Sequence, residues 1–245
     1  MIFNGVDLYS VHPALSIEKE IPPGMAACRI TTITGDDGER YAGTAITQDE
    51  YRVRVNIGAH TRREAWEARA ALAAWACSSE RPAPLIPTHW PQVHYMAACK
   101  DVSPPEYVRG FATVTVSFAL LRPVAVDNHI TAAQGEKSCT VSYTGSRPAR
   151  PRITLTLAGG AGLSQVDLLL DGTRFFRLRP ADTYAPGTVI VVDLEERTVH
   201  VNGAAALTDV SWAHSTWRPD IRQGRHTIST DAPATVRAEW RCEWA

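Results

Sequence analysis

Apolar and polar positions alternate strictly from Tyr51 to Ile57, where Arg52, Arg54 and Asn56 separate Tyr51, Val53, Val55 and Ile57. That period predicts a strand with one buried face. Immediately afterwards the period changes. Ala65, Ala68, Leu72, Trp75 and Ala76 recur at helical spacing, so Thr61 to Glu80 reads as an amphipathic helix, the only clear long one in the chain. Thr61-Arg62-Arg63-Glu64 opens it as a capping box, with Thr61 accepting from the backbone and Glu64 reaching back to the cap. Pro82, Pro84, Pro87 and Pro91 exclude regular structure from the connection that follows. Gly110 to Leu120 returns to alternation, with Ala112, Val114, Val116, Phe118 and Leu120 on one face. One strand feeding one helix, then further strands, predicts an α+β domain in which the helix plugs a sheet.

Other elements are shorter. Asn4-Gly5 is a turn between Ile2-Phe3 and Val6 to Leu8. Arg29 to Thr34 and Tyr41 to Thr47 read as strands joined by the polar Gly35 to Arg40 loop. Arg122-Pro123 ends the Gly110 to Leu120 strand, the first half runs to about residue 128, and Val124 to Gly135 reads as a linker or extended connection. Everything beyond it reads as β. Asp171-Gly172 is a two-residue hairpin signal between Val166 to Leu170 and Arg174 to Arg179. Glu195-Glu196-Arg197 and Asn202-Gly203 supply further turns. In the last strand Val236, Ala238, Trp240, Cys242 and Trp244 share one face, against Arg237, Glu239, Arg241 and Glu243 on the other. Short strands without helices between them predict an antiparallel sandwich.

Charge excludes a nucleic-acid binder. The formal net charge is -1, with 12 basic and 14 acidic residues up to residue 128 and 13 and 12 after it. Neither half has the basic surplus that displaces counterions from phosphates. No apolar run approaches the roughly 20 residues that span a bilayer, and Met1 to Asp7 shows no secretory leader. The five cysteines, Cys28, Cys77, Cys99, Cys139 and Cys242, are odd in number and dispersed, as expected of buried thiols in a reducing cytoplasm rather than a disulfide scaffold.

No complete catalytic constellation emerges. His89, His94 and Cys99 would supply three zinc ligands, but their spacing matches no tight pair and a fourth is missing. Asp36-Asp37 and Glu195-Glu196 are neighbours that point apart, as solvated loops do. Gly159-Gly160-Ala161-Gly162 lacks the Lys-Ser/Thr of a phosphate loop and reads as a turn. Arg147 to Arg152 places three arginines between prolines, an extended solvated loop. Trp66, Trp75, Trp240 and Trp244 fall on predicted buried faces, whereas Trp212 and Trp217 lie in a polar region suited to stacking on a sugar ring.

The ordered set of motifs resembles the distal tail proteins of long, flexible-tailed bacteriophages. Phe3-Asn4-Gly5-Val6-Asp7, then Ile33 to Gly38 as a G-x-D-G hairpin, the capped helix ending in Leu72 and Trp75, and Leu85 leading into Val93 to Ala97 carry the first part. Gly110 to Phe118 with Arg122-Pro123, Trp217 to Ile228 and the Trp240 to Trp244 strand carry the rest. The chain departs from the family at Gln223-Gly224 and His226, where a Pro-Gly pair and an Asn are frequent.

The resemblance implies a mainly β protein: a tail-tube-like split β-barrel with one helix over residues 1–128, then a galectin-like antiparallel β-sandwich over 129–245. It further implies a non-enzymatic homohexameric ring at the virion tail tip, made in the host cytoplasm. Such a ring joins the tail tube protein to the tip hub or tail-associated protein, and DNA passes through its channel. Side fibres or a receptor-binding protein would attach to it. No cofactor or metal is expected. The expected ring contacts are Gly35, Asp36, Asp37, Gly38, Arg62, Arg63, Pro87 and Trp90. The rival expectation is a carbohydrate-binding module that reads a host glycan through Trp212 and Trp217; a third is a zinc hydrolase built on His89, His94 and Cys99.

Overall fold

The computed structural model describes the backbone of residues 1–23, 26–32, 39–46, 50–108 and 111–244, and the side chains of all of these except 26–32, 39–46 and 108. The expected Gly35 to Gly38 contacts lie outside the described residues. The chain divides into two compact units, residues 1–126 and 127–244.

The first unit contains β1 (Ile2–Phe3), β2 (Val6–Asp7), β3 (Leu15–Ile21), β4 (Ala26–Thr32), β5 (Glu39–Ile46), β6 (Glu50–Ile57), α1 (Arg62–Ala76), β7 (Ala83–Ile86), β8 (Val93–Val102), β9 (Glu106–Val108) and β10 (Phe111–Leu120); β11 (Ala125–Asp127) runs alongside β8 and leads into the second unit. Its main sheet runs β2-β1-β7-β8-β10-β6-β3, with β9 also on β10, and β4 and β5 pair separately. All the pairings for which a register is defined are antiparallel. The alternation along β6 and β10 buries Tyr51, Val53, Val55 and Ile57 opposite Ala112, Val114, Val116 and Phe118.

Helix α1 lies against β6, β8 and β10. Its predicted stripe is its buried face: Ala65, Ala68, Leu72, Trp75 and Ala76 are all closed to solvent. The three alanines let the helix approach the sheet closely, while Leu72 and Trp75 supply the bulk, each stabilising by about 1.5–3 kcal/mol through burial. Trp75 meets Phe118 edge-on at 6.0 Å and Phe3 at 5.9 Å, and its indole N–H donates to the Val6 carbonyl at 2.9 Å. The cap differs in one detail. Thr61 Oγ1 accepts from the Glu64 amide at 3.2 Å as expected, but Glu64 Oε2 takes the His60 amide, one residue before the cap.

Two expectations are corrected here. The proline-bearing connection contains a strand, β7, because Pro84 is needed only as an acceptor: its carbonyl takes the Asn4 amide at 3.0 Å. Trp66 is half-exposed rather than core. It is one residue past Ala65, about 100° round the helix, and joins Arg62 and Arg69 in a separate row.

The second unit contains β12 (Thr131–Glu136), β13 (Ser138–Tyr143), β14 (Arg152–Leu157), β15 (Val166–Leu170), β16 (Thr173–Leu178), β17 (Val189–Asp193), β18 (Thr198–Val201), β19 (Ala204–Ala205), β20 (Gly224–Thr230), β21 (Ala234–Trp240) and β22 (Glu243–Trp244). One sheet runs β12-β21-β14-β17-β18-β19 and the other β13-β20-β15-β16. A single buried cluster joins Ile153, Leu155, Ile190 and Val236 of the first with Val141, Leu168, Phe176 and Ile228 of the second, which makes the unit a sandwich. The Asp171-Gly172 and Asn202-Gly203 turns carry both central residues at positive φ, as a tight hairpin demands.

Three readings change in this unit. The expected linker contains β12, which takes its register from Thr235 to Trp240, a partner about a hundred positions away in the chain. The Arg147 to Arg152 segment is not simply solvated: Ala149 is buried and bridged to Ile221, and Arg150 meets Glu195 at 3.0 Å. Trp240 and Cys242 are buried, but the last strand breaks after Trp240 and leaves Trp244 half-exposed against the core.

Candidate functional site

On α1, a row to one side of the buried stripe alternates charge with aromatic surface. Arg62 lies 5.6 Å over the Tyr107 ring, and Arg69 lies 5.3 Å over Trp66 while donating to the Val102 and Ser103 carbonyls at 2.7 and 2.8 Å. Arg63 is paired one turn along with Glu67 at 2.9 Å. Of the other expected contacts, Pro87 is buried within its own unit and Trp90 is half-exposed.

The same connection is fastened by Glu20 of β3. Its carboxylate accepts from Tyr51 Oη at 2.8 Å and from the Thr88 amide at 3.1 Å, and it meets His89 Nδ1 at 2.7 Å. Burial alone would raise the Glu20 pKa, but the hydrogen bonds from Thr88, Tyr51 and His89 outweigh it and hold the carboxyl below its ordinary value. Burial, followed by the neighbouring carboxylate, drives the Tyr51 phenol well above its ordinary range. His89 is therefore committed to a carboxylate, and among the described residues no cluster of three metal-ligating side chains forms. Cysteine burial is uneven: Cys139 and Cys242 are buried, Cys99 is half-buried and Cys77 is exposed at the end of α1. The Cys99 thiol is pushed up to about 12, chiefly by burial and then by the adjacent Cys77 thiol.

The second unit holds an open cleft of about 570 Å³ between the β15–β16 hairpin and the segment 213–220. Arg174, Phe175, His214, Thr216, Arg218 and Asp220 are among its lining residues. The segment is held rigidly along β16. The Arg179 amide donates to the Asp209 carbonyl at 2.7 Å, the Ser211 amide to the Arg177 carbonyl at 3.0 Å and the Thr216 amide to the Phe175 carbonyl at 2.8 Å. Ser215 Oγ also accepts from the Arg177 amide at 3.0 Å. Beside the cleft, Trp217 stacks edge-on against buried Phe176 at 4.8 Å, and Trp212 leans on Trp217 at 6.3 Å with 62% of its surface exposed.

The expected sugar contacts Trp212 and Trp217 neighbour lining residues in the chain but are not themselves among the lining residues, and the sequence does not single out Arg174, Phe175 or Arg218. The one local signal for Arg174 and Phe175 is Thr173 to Arg177, which follows the Asp171-Gly172 turn and so is displayed at a hairpin end.

Residues 144–244 match the family model of the siphovirus-type tail component, C-terminal domain. In fold the chain is similar to the SPP1 Dit (gp 19.1) protein, described as a paradigm of the hub adsorption apparatus in phages that infect Gram-positive bacteria. The likeness covers 98% of this chain and 97% of that one, at 15% identity and a TM-score of 0.76. A chain of the phage P2 baseplate in its activated conformation with Ca aligns over 94% of this chain and 90% of its own, at 10% identity and a TM-score of 0.45. Its counterpart with Sr aligns over 92% and 90%, at 11% identity and a TM-score of 0.43. No curated protein matches the sequence. The chain therefore carries a siphovirus-type tail-component domain over residues 144–244 and shares the fold of the SPP1 Dit protein along nearly its whole length.

Proposed function

We propose that this chain is a non-enzymatic adaptor of the phage tail tip, which closes into a homohexameric ring between the tail tube protein and the tip hub and carries host-adhesion components. The observation that supports this most strongly is the near-complete overlap, 98% of this chain, with a protein of a hub adsorption apparatus, together with the tail-component match over 144–244. The first unit is the tail-tube-like ring former and the second a galectin-like platform for side fibres or a receptor-binding protein. The polypeptide is made in the host cytoplasm before it is built into the virion.

A ring closes through heterologous contacts, in which one patch meets a different patch on the next copy. The α1 row of Arg62, Trp66 and Arg69 with Tyr107 has the aromatic and arginine composition that dominates interface energetics. Arg63 on the same helix, Trp90 and Gly35 to Gly38 are the further proposed contacts. Near-neutral charge suits a channel through which DNA must slide without being held.

Native mass spectrometry of the purified chain is the test. A species of six times 26.8 kDa supports the ring, as does its loss in Trp66→Glu. A monomer in solution together with no six-fold layer of this chain in assembled tails overturns it.

A further inference from the structure

We propose that the cleft beside Trp212 binds an anionic glycan, a sugar chain that carries phosphate or carboxylate groups. This does not depend on the ring, because the cleft lies wholly within the second unit.

Three observations carry it. The first is a surplus of unneutralised positive charge. Asp167 gives its carboxylate to Arg177 at 2.6 and 2.7 Å, which leaves Arg174 at a marginal 3.5 Å from it. Asp220, the acid on the cleft wall, is engaged by Arg222 at 2.8 Å. Arg218 makes no ion pair among the described residues, so two guanidinium groups and the His214 imidazole line a cleft whose acid is already occupied. A guanidinium fork matches a phosphate or carboxylate with two parallel hydrogen bonds.

The second observation is Trp212. An indole with 62% of its surface exposed would ordinarily be costly, yet it is fixed in place by Trp217, which is itself fixed by core Phe176. A rigid, exposed aromatic face suits the apolar face of a pyranose ring and loses little entropy when it binds. The third is preorganisation. Segment 211–216 is hydrogen-bonded to β16 through Ser211, Ser215 and Thr216, so the wall that carries His214 and leads to Arg218 needs no folding on binding. The volume of about 570 Å³ is within the range of small-molecule sites.

Binding of the full-length protein to three probes, followed by tryptophan fluorescence and calorimetry, tests the proposal. The probes are glucosylated poly(glycerol phosphate), hyaluronan and neutral dextran. Binding of the first alone assigns a phosphate-bearing polymer, and binding of hyaluronan alone a uronate-bearing one; either supports the proposal, as does binding of both. Arg218→Ala and Trp212→Ala each weaken that binding at least tenfold, while Arg54→Ala on β6 of the first unit, outside both the cleft and the proposed ring contacts, leaves it unchanged. Near-native circular dichroism in both cleft variants confirms that they are folded. No binding of either anionic probe, equal binding of dextran, or unchanged affinity in both cleft variants overturns the proposal. Ring mass, measured on the same variants, reports on the hexamer separately.

Discussion

Asp167 and Arg177 stand directly opposite each other on β15 and β16, and the guanidinium closes on the carboxylate with Nε to Oδ1 at 2.7 Å and Nη2 to Oδ2 at 2.6 Å. Side-chain exposure at the pair is 11% for Arg177 and 10% for Asp167, so both charges are largely withdrawn from water. The hydrogen bond from Arg177 holds the Asp167 carboxyl below its ordinary value despite the opposing effect of burial. Exposed ion pairs contribute little, but a bidentate pair in this setting fixes the strand register and positions the backbone that receives Ser215. Asp167→Asn keeps the shape and removes the charge. A thermal scan should show the second unit melting about 5 °C lower, and an unchanged midpoint would show that the pair is only decorative.

Glu20 gives the first unit an acid-sensitive fastening. Its folded pKa lies below its ordinary value of 4.5, so its contribution is fully present above that value and is lost as the pH falls towards the folded pKa. Wild type and Glu20→Gln should therefore differ most near neutral pH. The gap in their melting temperatures should close below about pH 4.5 as the wild-type carboxyl protonates. Other carboxylates titrate in both proteins, and the comparison cancels them. A gap as wide at pH 3 as at pH 7 would falsify the assignment.

Gly172 and Gly160 separate backbone strain from space. An added Cβ meets nothing within 4 Å at either position, but Gly172 has a φ of +82° in the β15–β16 turn whereas Gly160 has no positive φ. Gly172→Ala should cost about 1 kcal/mol, and Gly160→Ala should stay within about 0.5 kcal/mol of wild type. Urea titration of the two variants reads the difference, and equal costs would mean that the turn tolerates a side chain.

Local rules made much of this fold legible. The alternation in β6 and β10, the stripe on α1 and the Asp171-Gly172 turn each depend on residues close in sequence. What escaped depends on distant partners. β12 has no strong pattern of its own and is a strand because β21 pairs with it, and β7 holds a proline that the sheet accepts because only its carbonyl is used. Trp66 was misplaced because one position on a helix turns the side chain off the stripe. The cleft was not legible. Arg174 and Arg218 are 44 positions apart and line one cleft only because segment 211–216 pairs with β16, and Trp212, which its polar neighbours singled out, is not one of the lining residues.

Two buried tryptophans, equal in exposure at 4%, differ in one hydrogen bond and so predict different costs for the same substitution. Trp75 Nε1 donates to the Val6 carbonyl at 2.9 Å, while Trp240 Nε1 is buried with no partner among the described residues. Replacing either with Phe removes similar volume and leaves a similar cavity, which costs on the order of 1–2 kcal/mol. At Trp75 the lost hydrogen bond adds about 1 kcal/mol to that cost. At Trp240 the substitution instead removes an orphaned donor, whose burial costs about 1–3 kcal/mol, and so offsets the cavity. Trp75→Phe should therefore destabilise its unit by roughly 2–3 kcal/mol and Trp240→Phe by less than about 1 kcal/mol. Denaturant titration, with each unit followed through its own transition, measures both. A larger penalty at Trp240 than at Trp75 would mean that its indole N–H is satisfied in solution, and packing alone would then have to explain why a tryptophan closes the last strand.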